Sequence, residues 1–226
     1  MLKRLLLALA LLTPAFAFAQ TPATPAPAKP AAAKAAKAAA KPAAKTPAKA
    51  AEKPAAEVPA GPPKVLVKTS MGDITLELYP DKAPKSVENF LAYVKSGFYD
   101  GTVFHRVIEG FMIQGGGFTK DLRQKPTKPA IPIESKNGLS NLRGTLAMAR
   151  TMDPNSATAQ FFINTVDNAR LDYASDASPG YAVFGKVVSG LDVVDKIKVT
   201  PTGAQGPFRS DVPVTPVVIE KVTLLP

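Results

Sequence analysis

The sequence predicts a mainly β fold from residue 64 onward, a closed antiparallel barrel with two helices. Short strand-like runs recur along this part of the chain, separated by Gly, Pro, Asn or Asp. Two segments show helical periodicity instead. Many short strands with little helix are typical of a sheet that closes on itself. The 163 residues from 64 to 226 are enough for one domain with a substantial core.

A hairpin and a helix open the predicted domain. Residues 64–68 and 74–79 alternate apolar and polar side chains around a Ser-Met-Gly-Asp turn, which predicts a β-hairpin. Between Asp81 and Gly97, apolar residues fall at i, i+3, i+4 and i+7, which predicts an amphipathic helix of about a dozen residues.

Further strands are predicted after the helix, at 103–107, 111–114, 145–149, 161–165, 181–187 and 217–224, with a second helix at 191–197. The stretches 119–141 and 166–180 have little periodicity. Loops of that length in a compact domain are usually functional, so we expect them to border the site.

The first nineteen residues predict a signal peptide. Lys3 and Arg4 precede an apolar run at 5–12, and a small-x-small motif ends at Ala19, so cleavage near Ala19 and export are expected. The apolar run is shorter than the roughly 20 residues that span a bilayer, which disfavours a membrane anchor. The chain has no Cys, which excludes disulfides and lipid attachment at a cysteine after the cleavage site.

Residues 20–63 predict a disordered linker. Of these 44 residues, 19 are Ala, 10 are Pro and 7 are Lys, too little apolar surface to form a core. The linker carries +5 of the formal net charge of +10, and residues 64–226 carry only +3. A solvated spacer is the simpler interpretation, and binding to an anionic envelope polymer is the alternative. Because export is expected, no nucleic acid partner is expected.

Composition disfavours most covalent and metal chemistries. With one His and no Cys, a metal site is improbable and no cofactor is expected. Gly115–Gly117 lacks a phosphate-loop pattern and predicts a tight turn or bulge. The carboxylates of Glu109, Asp121 and Glu134 show no spacing that singles out a glycosidase pair. We expect His105 to be structural rather than a catalytic base.

One arginine stands among apolar residues. Strand alternation predicts that Phe104 and Arg106 share a face, as do Met112 and Gln114. An arginine with no carboxylate beside it in the sequence, near Phe, Met and an amide, could serve a neutral polar substrate. The other interpretation, which the pattern alone favours, is that the Phe and Met side chains are plain core.

Several motifs in order resemble the cyclophilin-type prolyl isomerases. They are Phe104–Thr119, Leu146–Ala149, Ser156–Ile163 and Val183–Val187, and the resemblance covers nearly all of residues 64–226. It is greatest to the exported bacterial branch, so we expect a periplasmic location. The resemblance implies an eight-stranded antiparallel barrel closed by two helices, with an outer groove that holds an X-Pro peptide. It also implies catalysis without metal, cofactor or covalent intermediate.

The same resemblance implies the site residues. Arg106 matches the catalytic arginine, and Gln114 matches a glutamine that steadies it. The pocket for the proline ring matches Phe111, Met112, Phe161 and Leu171. The side of the groove that binds the peptide before the proline matches Ala149, Arg150 and Gln160, and Tyr181 stands where many eukaryotic members have His.

Two departures from the family pattern affect specificity. Arg170 stands where many relatives have Trp, Phe or His, so we expect weak binding of the cyclosporin class. Arg150 and Thr151 replace a common Asn-Ala pair, which leaves the residue preference around proline open and inclined toward acidic residues.

The expected activity is isomerisation of X-Pro bonds in unfolded or exported polypeptides by a monomer. The alternative is a binding or chaperone module in which turnover is incidental. A third possibility is that the linker, with its own Ala-Pro and Lys-Pro sites, occupies the groove of its own domain.

Overall fold

The structure is a computed structural model and describes residues 61–226. The predicted signal peptide and all but the last three residues of the predicted linker lie outside this range. Its strands are β1 Lys64–Thr69, β2 Gly72–Leu78, β3 Thr102–Ile108, β4 Met112–Thr119, β5 Thr145–Met148, β6 Phe161–Asn164, β7 Val183–Ser189, β8 Thr202–Gln205, β9 Phe208–Pro213 and β10 Val218–Leu224. The helices are α1 Pro84–Lys95 and α2 Leu191–Lys198, with a 3-10 turn at Ala169–Leu171. Within residues 61–226, no helix is long and apolar enough to cross a bilayer.

Eight of the strands form a closed barrel in the order β1-β10-β3-β4-β6-β5-β7-β2. Every neighbouring pair in it is antiparallel. The predicted fold class, a closed eight-stranded antiparallel barrel with two helices, is therefore confirmed. The helix and strand positions also match the prediction, with boundaries that differ by a few residues.

Aromatic side chains fill the barrel interior. The ring centre of Phe90 from α1 lies 5.4 Å from that of Phe184 and 5.5 Å from that of Phe161. The Phe161 ring is also edge-on to the rings of Tyr99 and Phe104. All five are buried, and the Tyr99 hydroxyl donates a hydrogen bond to the Ala159 carbonyl at 2.8 Å. Burying each such side chain contributes roughly 1.5–3 kcal/mol. A filled interior leaves the outer surface for ligands.

The pairing of β3 with β4 slips twice, between Thr102 and Phe104 and again between Phe104 and Arg106. Glycines of β4 permit it: Gly116 has φ +80°, and a Cβ at Gly115 would lie 2.9 Å from the Phe104 ring. The predicted bulge at these glycines is thus present, inside β4 rather than in a turn. Because of the slip, Phe104 packs in the interior core while Arg106 lies partly exposed. The prediction that Phe104 and Arg106 share a face is wrong.

A hairpin formed by β8 and β9 was not predicted. It is a separate two-stranded sheet outside the barrel. Its strands contain few large apolar residues, and only the Gly206-Pro207 dipeptide marked a turn. Phe208 attaches it to the barrel by packing on Phe118 at 5.1 Å and on His105 at 5.5 Å.

The N-terminus of α1 is capped by a residue far away in the sequence. Ala83 offers no side-chain cap. Instead the Glu134 carboxylate accepts hydrogen bonds from the backbone N–H of Lys85 at 3.0 Å and of Ser86 at 2.7 Å, and from the Ser86 hydroxyl at 2.7 Å. This arrangement satisfies two N–H groups that a helix leaves unpaired and places negative charge at the positive end of its dipole. Glu134 is thereby accounted for as a cap.

We expect Glu134→Ala to lower the free energy of unfolding by about 1–2 kcal/mol, because two amides at the start of α1 lose their acceptor. The free energy of unfolding of Glu134→Gln should lie between those of wild type and Glu134→Ala, because the Gln amide keeps one acceptor oxygen. Urea unfolding followed by circular dichroism measures the effect. Glu88→Ala, which removes an exposed carboxylate from the same helix, is the control. Equal stability of Glu134→Ala and wild type would contradict the capping role.

Candidate active site

A small pocket of about 100 Å³ lies on the outside of the barrel. Its lining comes from β3, β4 and β6, from the turn between β3 and β4, and from the segments that follow β5 and β6: Arg106, Phe111, Met112, Gln114, Ala149, Arg150, Phe162, Leu171 and Tyr181. The outward orientation follows from strand alternation, since Ile113 and Ile163 pack in the interior core whereas Met112 and Phe162 belong to a separate outer cluster.

The structure places two predicted site residues, one from the proline pocket and one from the side of the groove, outside the pocket lining. Phe161 is fully buried in the barrel interior, and the aromatic wall of the pocket is Phe162. Phe162 lies opposite Gln114 in the pairing of β4 with β6, and Tyr181 stands edge-on to it at 5.6 Å. The predicted assignment of Phe161 to the proline pocket is therefore wrong by one residue. Gln160 lies beside the pocket rather than in its lining.

Arg106 has a carboxylate near it that the linear sequence did not show. Its Nε lies 3.9 Å from Oδ2 of Asp211 on β9, and the two side chains are 43% and 34% exposed. Asp211 has φ +66°, a left-handed conformation that Asp tolerates better than most residues. The Arg106 guanidinium carbon also lies 6.0 Å from the centre of the Phe111 ring, so its charge faces the pocket rim.

Gln114 does not hold Arg106. Its Nε2 donates a hydrogen bond to Oε1 of Gln160 at 2.9 Å. Gln114 pairs with Arg106 across β3 and β4, but no hydrogen bond joins their side chains among residues 61–226. The predicted steadying role of Gln114 is thus not what the structure shows. The amide pair instead forms a polar border beside the arginine.

Two more arginines flank the pocket. Arg150 donates from Nε to the Gly180 carbonyl at 2.9 Å and from Nη1 to the Thr151 carbonyl at 2.8 Å. Its guanidinium lies 4.6 Å from the centre of the Tyr181 ring. The guanidinium of Arg170 lies 4.7 Å from the centre of the Phe111 ring. Cations over aromatic faces are held there by the ring quadrupole.

Buried asparagines hold the loop that carries Phe111 and the loop that carries Leu171. Asn168 donates to the Phe111 carbonyl and to Oδ1 of Asn164, both at 2.8 Å. Asn164 donates to Oδ1 of Asn141 at 3.2 Å, and Asn141 donates to the Leu171 carbonyl at 3.1 Å. Sequence reasoning missed this network, because no spacing links three separate Asn residues. Of the two long loops predicted to border the site, 166–180 supplies Leu171 to the pocket lining, whereas 119–141 supplies none of the lining residues.

His105 faces away from the pocket although it precedes Arg106. It packs 4.5 Å from Phe118, and burial lowers its pKa to about 4. Its Nδ1 is buried without a hydrogen-bond partner in the described part of the chain. A neutral imidazole in an aromatic cluster is structural, as the sequence predicted. Within residues 61–226, no group of three or more His, Cys, Asp or Glu side chains could hold a metal ion.

The profile of the family described as "Cyclophilin type peptidyl-prolyl cis-trans isomerase/CLD" matches residues 64–224. The chain belongs to this family. It is 60% identical over 163 residues to a peptidyl-prolyl cis-trans isomerase of Streptomyces antibioticus, covering 71% of this chain and 98% of that protein. It is 56% identical over 162 residues to peptidyl-prolyl cis-trans isomerase B of Escherichia coli, with the same two coverages.

Solved cyclophilins share the fold. A Cryptosporidium parvum cyclophilin type isomerase superposes with a TM-score of 0.60 at 28% identity, covering 73% of this chain and 98% of that chain. A second structure of that protein was determined in the presence of the dipeptide Ala-Pro, with a TM-score of 0.59 at 29% identity, covering 72% and 99%. The cyclophilin described here is accordingly a peptidyl-prolyl cis-trans isomerase, an enzyme.

We expect the stability of this cyclophilin to depend on pH through His105. Above pH 6.5 the histidine is neutral in both the folded and the unfolded chain, so its full contribution is present. As pH falls from 6.5 to about 4, the unfolded chain binds a proton that the folded chain does not, so stability is lost, by about 3 kcal/mol at the lower limit.

His105→Phe removes the pH dependence of stability that comes from the histidine, while the carboxylates titrate as before. The measurement is the difference in unfolding free energy between pH 7 and pH 4, compared for the two proteins. Because the chain has one His, its ring proton resonance also gives the pKa of wild type directly by NMR. A measured pKa near 6.5 would contradict the assignment even if the variant failed to fold.

Proposed function

We propose that this cyclophilin accelerates X-Pro rotation by non-covalent catalysis at Arg106 beside the apolar pocket. The observation that carries the proposal is the Arg106 guanidinium at the rim of a small cavity walled by Phe111, Met112 and Phe162. The apolar side chains of these three walls suit contact with a proline ring. The guanidinium beside it suits the amide nitrogen that joins the ring to the preceding residue.

The chemistry follows from amide resonance. Planarity gives the X-Pro bond a barrier of about 18–20 kcal/mol, so free peptides isomerise in tens to hundreds of seconds. In the twisted transition state the resonance is lost, and the proline nitrogen becomes a pyramidal base. A hydrogen bond donated by Arg106 to that lone pair is available only in the twisted form, which is the condition for catalysis. Arginine suits this role because it keeps its charge and its planar set of donors.

The hydrogen bond supplies only part of the acceleration. A 10⁵-fold effect needs about 7 kcal/mol. One charge-assisted hydrogen bond contributes roughly 1.5–3 kcal/mol. The remainder has to come from clamping the ring and removing water from the carbonyl. Met112 and Phe162, which are both nearly fully buried, form packed walls that could hold the ring and exclude water.

Asp211 is the side chain we infer to orient Arg106. Its carboxylate lies on the Nε side of the guanidinium. An anchor at Nε leaves the two Nη groups to point toward a substrate. An exposed pair of this kind is worth about 0.2–1 kcal/mol, so its effect is modest.

The wider role we propose is assistance to the folding of exported proteins. The predicted signal peptide supports a periplasmic location. The Lys-rich linker would act as a spacer there or bind an anionic envelope polymer. The alternative is a binding or chaperone module for proline-containing chains. Both use the same pocket and differ in whether turnover matters.

Arg106→Ala should lower kcat/KM for an Ala-Pro peptide by at least about tenfold, since the lost hydrogen bond is worth roughly 1.5–3 kcal/mol. Arg106→Lys should have a kcat/KM between those of wild type and Arg106→Ala, because lysine keeps the positive charge but lacks the planar set of donors. NMR exchange between cis and trans peptide resonances gives the rates, and peptide titration gives the affinity. If wild type and Arg106→Ala are equally slow while both bind peptide, the binding module is the better description.

Asp211→Asn should lower kcat/KM by about two- to fivefold while the dissociation constant for peptide changes less, because orientation of Arg106 matters most in the transition state. Asn tolerates the left-handed backbone, so the hairpin keeps its shape. The same substitution in an Arg106→Ala background should have no further effect. Additive losses in the double variant would show that Asp211 acts through something other than Arg106.

A further inference from the structure

We propose that the groove of this cyclophilin selects proline sites with an acidic residue next to or near the proline. The inference rests on the proposed function, since it assigns the substrate class of the same pocket. It concerns Arg150 and Arg170, which the catalytic mechanism does not use. Both side chains lie against aromatic rings at the pocket rim, over Tyr181 and Phe111 respectively.

The charge at this rim is unbalanced. Arg106 is partly offset by Asp211. In contrast, no ion pair among residues 61–226 includes Arg150 or Arg170. Glu134 lines a neighbouring cavity together with Arg150, but its carboxylate accepts the hydrogen bonds at the start of α1. Oδ1 of Asp172 accepts from the backbone N–H and the side-chain amide of Asn141, at 2.6 and 2.9 Å.

Arg150 is held in place before a ligand arrives, and Arg170 has one aromatic contact. Arg150 is fixed by two backbone carbonyls and by the Tyr181 ring. These contacts use its Nε and Nη1, which leaves Nη2 for a ligand. Arg170 is exposed to solvent but rests on the Phe111 ring. Ordering long side chains costs free energy on binding, so arginines that are already ordered bind an anion at a smaller cost.

The matching ligand is a carboxylate of the substrate peptide. Arginine binds carboxylates with charge-assisted, often bidentate hydrogen bonds. Tyr181 and Phe111 both line the pocket, so a carboxylate within one or two residues of the bound proline would reach an arginine. A lysine at the same place would meet like charge and be disfavoured.

A consequence concerns the chain itself. Its linker contains three Lys-Pro pairs, Lys29-Pro30, Lys41-Pro42 and Lys53-Pro54. Repulsion from Arg150 and Arg170 disfavours the first two as occupants of the groove, whereas the third has Glu52 two residues before its proline. The charge of the rim therefore ranks the linker's own proline sites, with Lys-Pro pairs that lack a nearby Glu as the weakest occupants.

The test uses peptides that differ in one residue, Glu, Gln or Lys, placed either before or after a common proline. With wild type at about 20 mM salt, kcat/KM by NMR exchange should be two- to fivefold higher for Glu than for Gln, and lower for Lys. In 1 M NaCl, where the screening length is about 3 Å, the three peptides should converge. Equal rates at low salt, or a preference that survives 1 M NaCl, would overturn the proposal.

Variants assign the effect to residues. Arg150→Gln and Arg170→Gln should each reduce the preference for Glu, and Arg150→Lys should restore it because the charge is kept. Arg123→Gln is the control, since Arg123 is an exposed arginine outside the pocket lining. If Arg123→Gln reduced the preference as much as the rim variants, the overall charge of the domain would be responsible and the proposal would fail.

The Gln peptide separates this proposal from the proposed function. If wild type isomerises it and Arg106→Ala does not, the catalytic role of Arg106 stands whatever the charge preference. If the Gln peptide is turned over equally by both, the proposed function itself fails.

Discussion

The candidate active site depends on the slip in pairing between β3 and β4. Without it, strict alternation would place Arg106 on the same side as Phe104, inside the barrel, where an unpaired guanidinium would carry a prohibitive desolvation cost. The slip requires small residues in β4, because Gly115 and Gly116 lie against the rings of Phe104, Tyr99 and Phe161. A packing constraint in the interior thus determines where the cation emerges outside.

The rest of the site is built on the outer face by different means. Regular strands supply Met112 and Phe162, whose positions follow from the ladder. Loops supply Phe111 and Leu171, and the buried asparagine network attaches those loops to the barrel. The network replaces the regular backbone pairing that loops lack and so keeps the pocket walls in place.

Much of the fold could be predicted from the sequence, because it depends on local patterns. Periodicity identified both helices, and turn residues separated the barrel strands. The site was predictable where alternation held, as at Met112 and Gln114. Prediction failed where the answer depended on register: Phe161 and Phe162 are adjacent, and only the pairing with β4 determines which faces outward. It failed again where contacts join distant segments, as for Asp211 beside Arg106 and Glu134 at α1, since no local pattern encodes them.

Closure of the barrel determines how many unpaired strand edges the domain exposes. An open sheet presents edge strands whose free N–H and C=O groups can pair with any extended chain, the usual route to aggregation. Unfolded polypeptides offer such extended chains in abundance. In this barrel each of the eight strands is paired on both sides, so the barrel has no free strand edge, and within residues 61–226 edge strands occur in the β8–β9 hairpin. The barrel wall around the pocket therefore has no unpaired strand to which an extended chain could add.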